Sequence, residues 1–277
     1  MAQGNDQLKI GELPRLSILP IEDVLFHEEP DEERATLLTA KLEKEGVLRN
    51  PPIVADVNGA RRRILLDGAN RLTALRTLGF RHVLVQEIDL FDPGLVISQW
   101  HHAVERLDRS YFQQRLAEIE GLMVNEEPVP EADAIARLQF PDRSHLHLCA
   151  DGDIFHLVRL LAQVTSLYHG SAYMDRVSYT NLEHLQRNYA EFSALVSFRT
   201  FSKDEIVELT TNNVKVPSGI TRVLVPKRAL FFNLPLEVLA RGSSAAELNE
   251  WLQRHLAEKI RSKSIRFYQE PTFIFDE

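Results

Sequence analysis

The chain has 277 residues, 44% of them hydrophobic and 26% charged, with a formal net charge of −8. That is globular composition with room for one large domain or two moderate ones, and the acidic excess repels nucleic acid and anionic membrane surfaces on average, which weighs against a DNA-binding role. A single cysteine, Cys149, excludes an intramolecular disulfide and a multi-thiolate zinc site. No run approaches the ~20 apolar residues of a spanning helix, and the polar start from Met1 to Leu8 lacks a signal-peptide core, so a cytoplasmic place is expected.

Arg15 to Ile21 reads as a strand ended by proline, and Asp31 to Glu45 has helical spacing through Ala35, Leu38 and Leu42, with Gly46 as the stop. Pro51 to Val57 is β-rich, Asn58-Gly59 is a hairpin turn signal, and Arg63 to Leu66 is the returning strand. Asp67-Gly68 punctuates that strand. Apolar residues at 72, 74, 75 and 78 predict a helix over 70–78 capped by Gly79, and Val83 to Ile88 supplies another strand.

From Asp92-Pro93-Gly94 the texture changes to mixed helices and strands, which divides the chain into domains over 1–92 and 93–277. The acidic, proline-containing stretch from Glu118 to Ala134 reads as an exposed connection. A hairpin is expected around Asp151-Gly152, between His145–Leu148 and Ile154–Leu157. Helices are expected over 155–168, 182–189 and 245–261, and strands over 221–225 and 229–233. The fold class is α/β in the α+β sense.

A strand followed by Asp67-Gly68 and a helix points free backbone N–H groups out of one helix end, which attracts anions. Glycine at 68 permits close approach of a phosphate, and Arg71 in the first turn can add a bidentate contact. Asp67 would repel bare phosphate, so it makes sense holding a divalent cation or an acceptor hydroxyl. The same residues also describe an ordinary turn with a capping aspartate. His27-Glu28-Glu29-Pro30 forms a second acidic knot upstream. The ten histidines show no metal-ligand spacing, and Arg61-Arg62-Arg63 reads as a solvated edge.

The order of these pieces carries a resemblance. Ile18-Leu19-Pro20-Ile21, His27-Glu28, Gly46 through Pro51-Pro52-Ile53-Val54, and Leu65-Leu66-Asp67-Gly68-Ala69-Asn70-Arg71-Leu72-Thr73-Ala74-Leu75 resemble the ParB N-terminal/sulfiredoxin superfamily over about residues 14 to 90. The Asp-Gly-X-X-Arg form is similar to that of the free L-serine kinases, which make O-phosphoserine from serine with ATP or ADP. Trp100-His101-His102 and Pro217-Ser218-Gly219-Ile220-Thr221-Arg222 extend the likeness, and the tail Arg266 to Pro271 resembles siderophore-associated bacterial members. The chain departs from the family pattern at Ala69-Asn70, where a pair of histidines is common, and at Val223.

The resemblance implies a ParB/sulfiredoxin-like nucleotide-binding domain followed by a mixed α/β domain that completes a substrate cleft. Glu28 would be the general base, with Glu29 as its substitute, and Asp67 would orient the acceptor hydroxyl or hold Mg²⁺. Gly68, Ala69, Asn70, Arg71, Leu72 and Thr73 would bind the nucleotide, ATP or ADP. Trp100, His102, Thr221 and Arg222 would bind the small hydroxylated amino acid. Read without the resemblance, Trp100 is equally a core aromatic, His101 and His102 helix residues, and Thr221-Arg222 structural. Two other functions compete: a ParB-like DNA-associated regulator, which should carry a basic helix-turn-helix after residue 90, and an inactive homologue that senses serine or nucleotide. A homodimer is left open.

Overall fold

The computed structural model describes residues 13–57, 61–130, 133–169, 172–240, 242 and 244–266. The first unit runs β1 (Leu16–Pro20), a 3-10 turn (Ile21–Asp23), β2 (Val24–Phe26), α1 (Glu32–Glu45), β3 (Val47–Leu48), β4 (Ile53–Asp56), β5 (Arg63–Asp67), α2 (Ala69–Thr77) and β6 (His82–Asp89). α1 begins where the Asp31 carboxylate accepts the Arg34 N–H and ends at Gly46 with φ +66°, the left-handed stop that its sequence signals. The Asn58-Gly59 turn lies outside the described residues.

Five of these strands form a mixed sheet in the order β1-β6-β4-β5-β2, with β4 parallel to β6, β2 parallel to β5 and the other pairs antiparallel. Both faces are covered, and the strand period of two sorts the side chains between two cores. Ile53, Ala55, Ile64 and Leu66 enter one core, while their neighbours Val54 and Leu65 enter the other.

The rest of the chain runs β7 (Val96–Gln99), β8 (His101–Glu105), α3 (Arg109–Ala117), β9 (Met123–Asn125), β10 (Ala134–Gln139), β11 (His145–Cys149), α4 (Ile154–Ser166), β12 (Tyr173–Val177), α5 (Leu182–Asn188), β13 (Phe192–Phe198), α6 (Lys203–Thr211), β14 (Thr221–Leu224), β15 (Leu234–Pro235), α7 (Leu236–Leu239) and α8 (Ala245–Arg261). A six-stranded antiparallel sheet, β12-β8-β13-β10-β11-β9, carries α4 and α6 on the core it shares with the first sheet. β7 pairs with β14, and β15 with β3.

α7 and α8 return to the first unit, where Leu236, Leu248, Leu252 and Leu256 join Ile18, Leu72 and Leu75 in the second core. β1 is an edge strand, and Asn249 of α8 blunts it by accepting the Ile18 N–H (2.9 Å) and donating to the Ile18 carbonyl (2.7 Å). We propose that the division at residue 92 be kept in chain order, with residues 232–256 completing the first unit.

Three expectations are corrected. Residues 145–157 are not a hairpin: the Asp153 carboxylate accepts the His156 N–H at 2.8 Å and starts α4, while β11 pairs with β10 and β9. Residues 229–233 are not a strand, since Phe231 and Asn233 sit at φ +52° and +56° and the N–H groups of Ala229 and Phe231 bond the side chains of Gln86 and Asn50. The connection over 118–134 contains β9, which pairs with β11.

Candidate active site

β5 delivers Asp67 to the sheet edge and the chain turns at once into α2. Gly68 takes φ +101°, and a Cβ there would stand 2.9 Å from the Pro52 Cβ, so glycine is required by both conformation and space. No side chain caps this helix start. Leu72 donates its N–H to the Gly68 carbonyl (2.9 Å), so the N–H groups of Ala69, Asn70 and Arg71 precede the first intrahelical bond and point out of the helix end.

Arg71 turns inward. Its guanidinium donates to the carbonyls of Asn50 (2.8 Å) and Pro51 (3.1 Å) and to Asp67 Oδ2 (2.8 Å). The same Asp67 oxygen accepts from Arg228, in the loop after β14. Burial pushes the Asp67 carboxyl up, but the two guanidinium groups outweigh it and hold its pKa below the ordinary aspartate value. Asn70 accepts the Asp31 N–H at 2.8 Å, which ties the starts of α1 and α2 together.

Glu28 comes from the loop after β2, stapled to residue 216 by a parallel bridge and by the Glu29 N–H on the Val216 carbonyl (2.8 Å). Its Oε1 accepts the Gly219 N–H (2.9 Å), and its Oε2 accepts the Thr221 N–H (3.0 Å) and meets the Thr221 hydroxyl. The turn over 217–221 thus grips Glu28.

Glu28 and Asp67 line one cleft of about 510 Å³, the size of a small-molecule site. Gly68, Ala69, Asn70, Arg71, Trp100, Thr221 and Arg222 line it too, and the Arg222 guanidinium lies 4.9 Å from the Trp100 ring centroid. Leu72 and Thr73 do not: the Leu72 side chain is buried and its N–H is spent within the helix, and Thr73 follows it into the helix body. His102 is also outside, fully buried on strand β8 rather than on a helix, bonded to Tyr168 and to the Gly219 carbonyl.

The cleft adds residues that sequence reasoning missed. Arg176 on β12 donates to Ser218 (3.0 Å) and Asp31 (3.3 Å). With Arg71, Arg222 and Arg228 it makes four guanidinium groups around an anion-sized space in an acidic protein. Neither Arg176 nor Arg228 sits in a motif, and no local signal marks them. His27 adjoins Glu28 in sequence, and its burial alone sets it apart.

A protein-held Mg²⁺ does not fit this donor set. Asp67 Oδ2 is shared by two cations, and among the described residues no group of three His, Cys, Asp or Glu could cage a metal ion. No helix among the described residues is long and apolar enough to cross a membrane.

No family model matches the chain. It is 24% identical over 262 residues to the ATP-dependent L-serine kinase SbnI of Staphylococcus aureus, covering 95% of this chain and 97% of that one. Nearly the whole chain is thus similar to a named L-serine kinase. An ATP-dependent L-serine kinase from Staphylothermus marinus is 22% identical over 80% of this chain and 90% of its own. In fold, a truncated SbnI superposes with a TM-score of 0.72 at 24% identity, over 88% of this chain and 96% of the other. A free serine kinase in complex with AMP gives 0.69 at 17% identity, over 82% and 94%. The family likeness therefore spans both units and reaches well beyond residues 14 to 90.

Proposed function

We propose that this protein is a kinase of free L-serine that transfers the γ-phosphoryl group of ATP to the serine hydroxyl, giving O-phosphoserine. The observation that carries the reading is the meeting of Glu28, held by two backbone N–H groups, with the uncapped start of α2 in one arginine-rich cleft. Two relatives covering most of the chain are named ATP-dependent L-serine kinases.

Phosphoryl transfer asks mainly for in-line placement and charge stabilisation. The N–H groups of Ala69 to Arg71 and the guanidinium of Arg228 receive the polyphosphate at the helix end. Asp67 Oδ2 is committed to Arg71 and Arg228, so Oδ1 is the atom left to orient the ammonium or hydroxyl of serine. Trp100 and Arg222 form the opposing wall, where a guanidinium suits the serine carboxylate. Glu28 accepts the hydroxyl proton as the serine oxygen attacks phosphorus and the bond to the ADP oxygen breaks. Mg²⁺, where the reaction uses it, travels on the nucleotide. ATP and free serine are both present in the cytoplasm, where this reaction belongs.

The test is a donor-by-acceptor screen: ATP and ADP against L-serine, homoserine and threonine, with phosphorus NMR of the product. O-phosphoserine from ATP is expected. Absence of any phosphorylated amino acid with either donor overturns the reading.

A further inference from the structure

His27 is buried, 4% exposed, yet its ring is not packed only against apolar groups. Nδ1 meets the Leu65 carbonyl, and Nε2 lies 2.8 Å from the Thr221 hydroxyl oxygen, which in turn meets Glu28 Oε2. We propose that His27, Thr221 and Glu28 act as one proton relay, in which His27 is the positioning residue that finally takes the proton removed from the acceptor hydroxyl.

The argument is a count of hydrogens. A carbonyl oxygen only accepts, so the link to Leu65 requires a proton on Nδ1. The links from Nε2 to the threonine oxygen and from there to Oε2 need one hydrogen each, and the hydroxyl supplies one. The remaining hydrogen resides either on Oε2, with both side chains neutral, or on Nε2, with imidazolium facing carboxylate. The two placements differ by a concerted shift of two protons through Thr221, and all donors and acceptors stay satisfied in both. Buried polar groups have little other choice.

The relay rests on the kinase reading for its first proton and on this geometry for its path. The serine hydroxyl proton arrives at Glu28 Oε1 while its bonding electron pair stays on the oxygen that forms the new P–O bond. In the same concerted shift, and from the placement in which both side chains are neutral, Oε2 gives its hydrogen to Thr221 as Thr221 gives its own to Nε2, so the carboxyl group exchanges its C–O and C=O bonds and never carries two protons. The result is imidazolium at His27 and a relay that holds one proton more than before, the one taken from serine; once product leaves, the reverse shift returns that proton to Glu28 Oε1, which releases it to water.

Thr221→Val removes the hydroxyl and keeps the backbone N–H on Glu28, Thr221→Ser restores the hydroxyl, and His27→Gln removes the terminal base. In single-turnover reactions, Thr221→Val and His27→Gln should each slow transfer by about tenfold or more, within the range of acid–base contributions. The KM values for ATP and serine should stay within about twofold, and Thr221→Ser should stay near the native rate. Rates in mixed H₂O and D₂O should vary along a curve for the native protein and linearly for Thr221→Val, since only the relay moves several protons together. Native rates and curvature in Thr221→Val overturn the relay.

Ring ¹⁵N spectra of His27 at neutral pH decide the point without turnover. Signals that change in both Thr221→Val and Glu28→Gln support the coupled network, and unchanged signals overturn it. A protein that makes no phosphoserine refutes the kinase reading, and these spectra still decide the relay.

Discussion

His102 donates from Nε2 to the carbonyl of Gly219 at 2.9 Å, so a strand buried beneath the cleft holds the turn whose N–H fixes Glu28. The carbonyl can only accept, which places the ring proton on Nε2 and makes Nδ1 the acceptor of the Tyr168 hydroxyl at 2.7 Å. Burial is the main cause that pushes the His102 pKa down to about 3. The unfolded chain takes up this proton near pH 6.5, whereas the folded protein resists it. Stability from this group is therefore complete above pH 6.5 and falls as pH drops toward 3, by up to about 1.4 kcal/mol per pH unit. Urea unfolding across that window should show a shallower pH slope in His102→Gln than in the native protein, and equal slopes would refute this account.

Arg71 and Arg228 bond the same aspartate oxygen but should fail differently. Arg71→Met abandons two backbone carbonyls and a half-buried carboxylate, at a cost of about 1–3 kcal/mol in denaturant unfolding. Arg228 is about one-third exposed, with a side-chain accessibility of 35%. Arg228→Ala should leave the unfolding midpoint nearly unchanged and raise the KM for ATP several-fold. A stable Arg71→Met protein, or an Arg228→Ala protein with native ATP affinity, would reverse the assignment.

Glu28→Gln keeps an oxygen that can accept from one backbone N–H but cannot take up the hydroxyl proton. Its kcat should fall by about 10²–10⁴-fold with a native circular dichroism spectrum. Turnover above half the native rate would remove Glu28 from the base role.

Gly68→Ala places a methyl group 2.9 Å from the Pro52 Cβ on backbone at φ +101°. A loss of about 1–3 kcal/mol is expected from the strained conformation, together with weaker ATP binding as the helix start shifts. Calorimetric titration beside thermal unfolding measures both, and a native titration curve would show that the helix end is not the phosphate seat.

The local elements were legible wherever short-range chemistry decides them. Asp31, Leu38, Leu42 and Gly46 specify α1, because a cap, an apolar stripe and a left-handed stop act within a few residues. Asp67 and Gly68 announce the turn into α2 for the same reason. At 151–157 the local signal misled, because Asp-Gly suits a turn while Asp153 was the residue that started a helix.

The site divides along the same line. Sequence by itself singled out Glu28, Asp67 and the helix end from Gly68 to Arg71, since their order along the chain is a pattern that can be read, and these residues line one cleft. Only the tertiary structure decided that Arg71 braces the loop at 50–51, that Arg176 and Arg228 complete the cleft, and that His102 lies beneath it. Those pairings close over separations of 20 to 161 residues, and the direction in which a side chain points across such a distance is set by the packing of two sheets, which leaves no local trace.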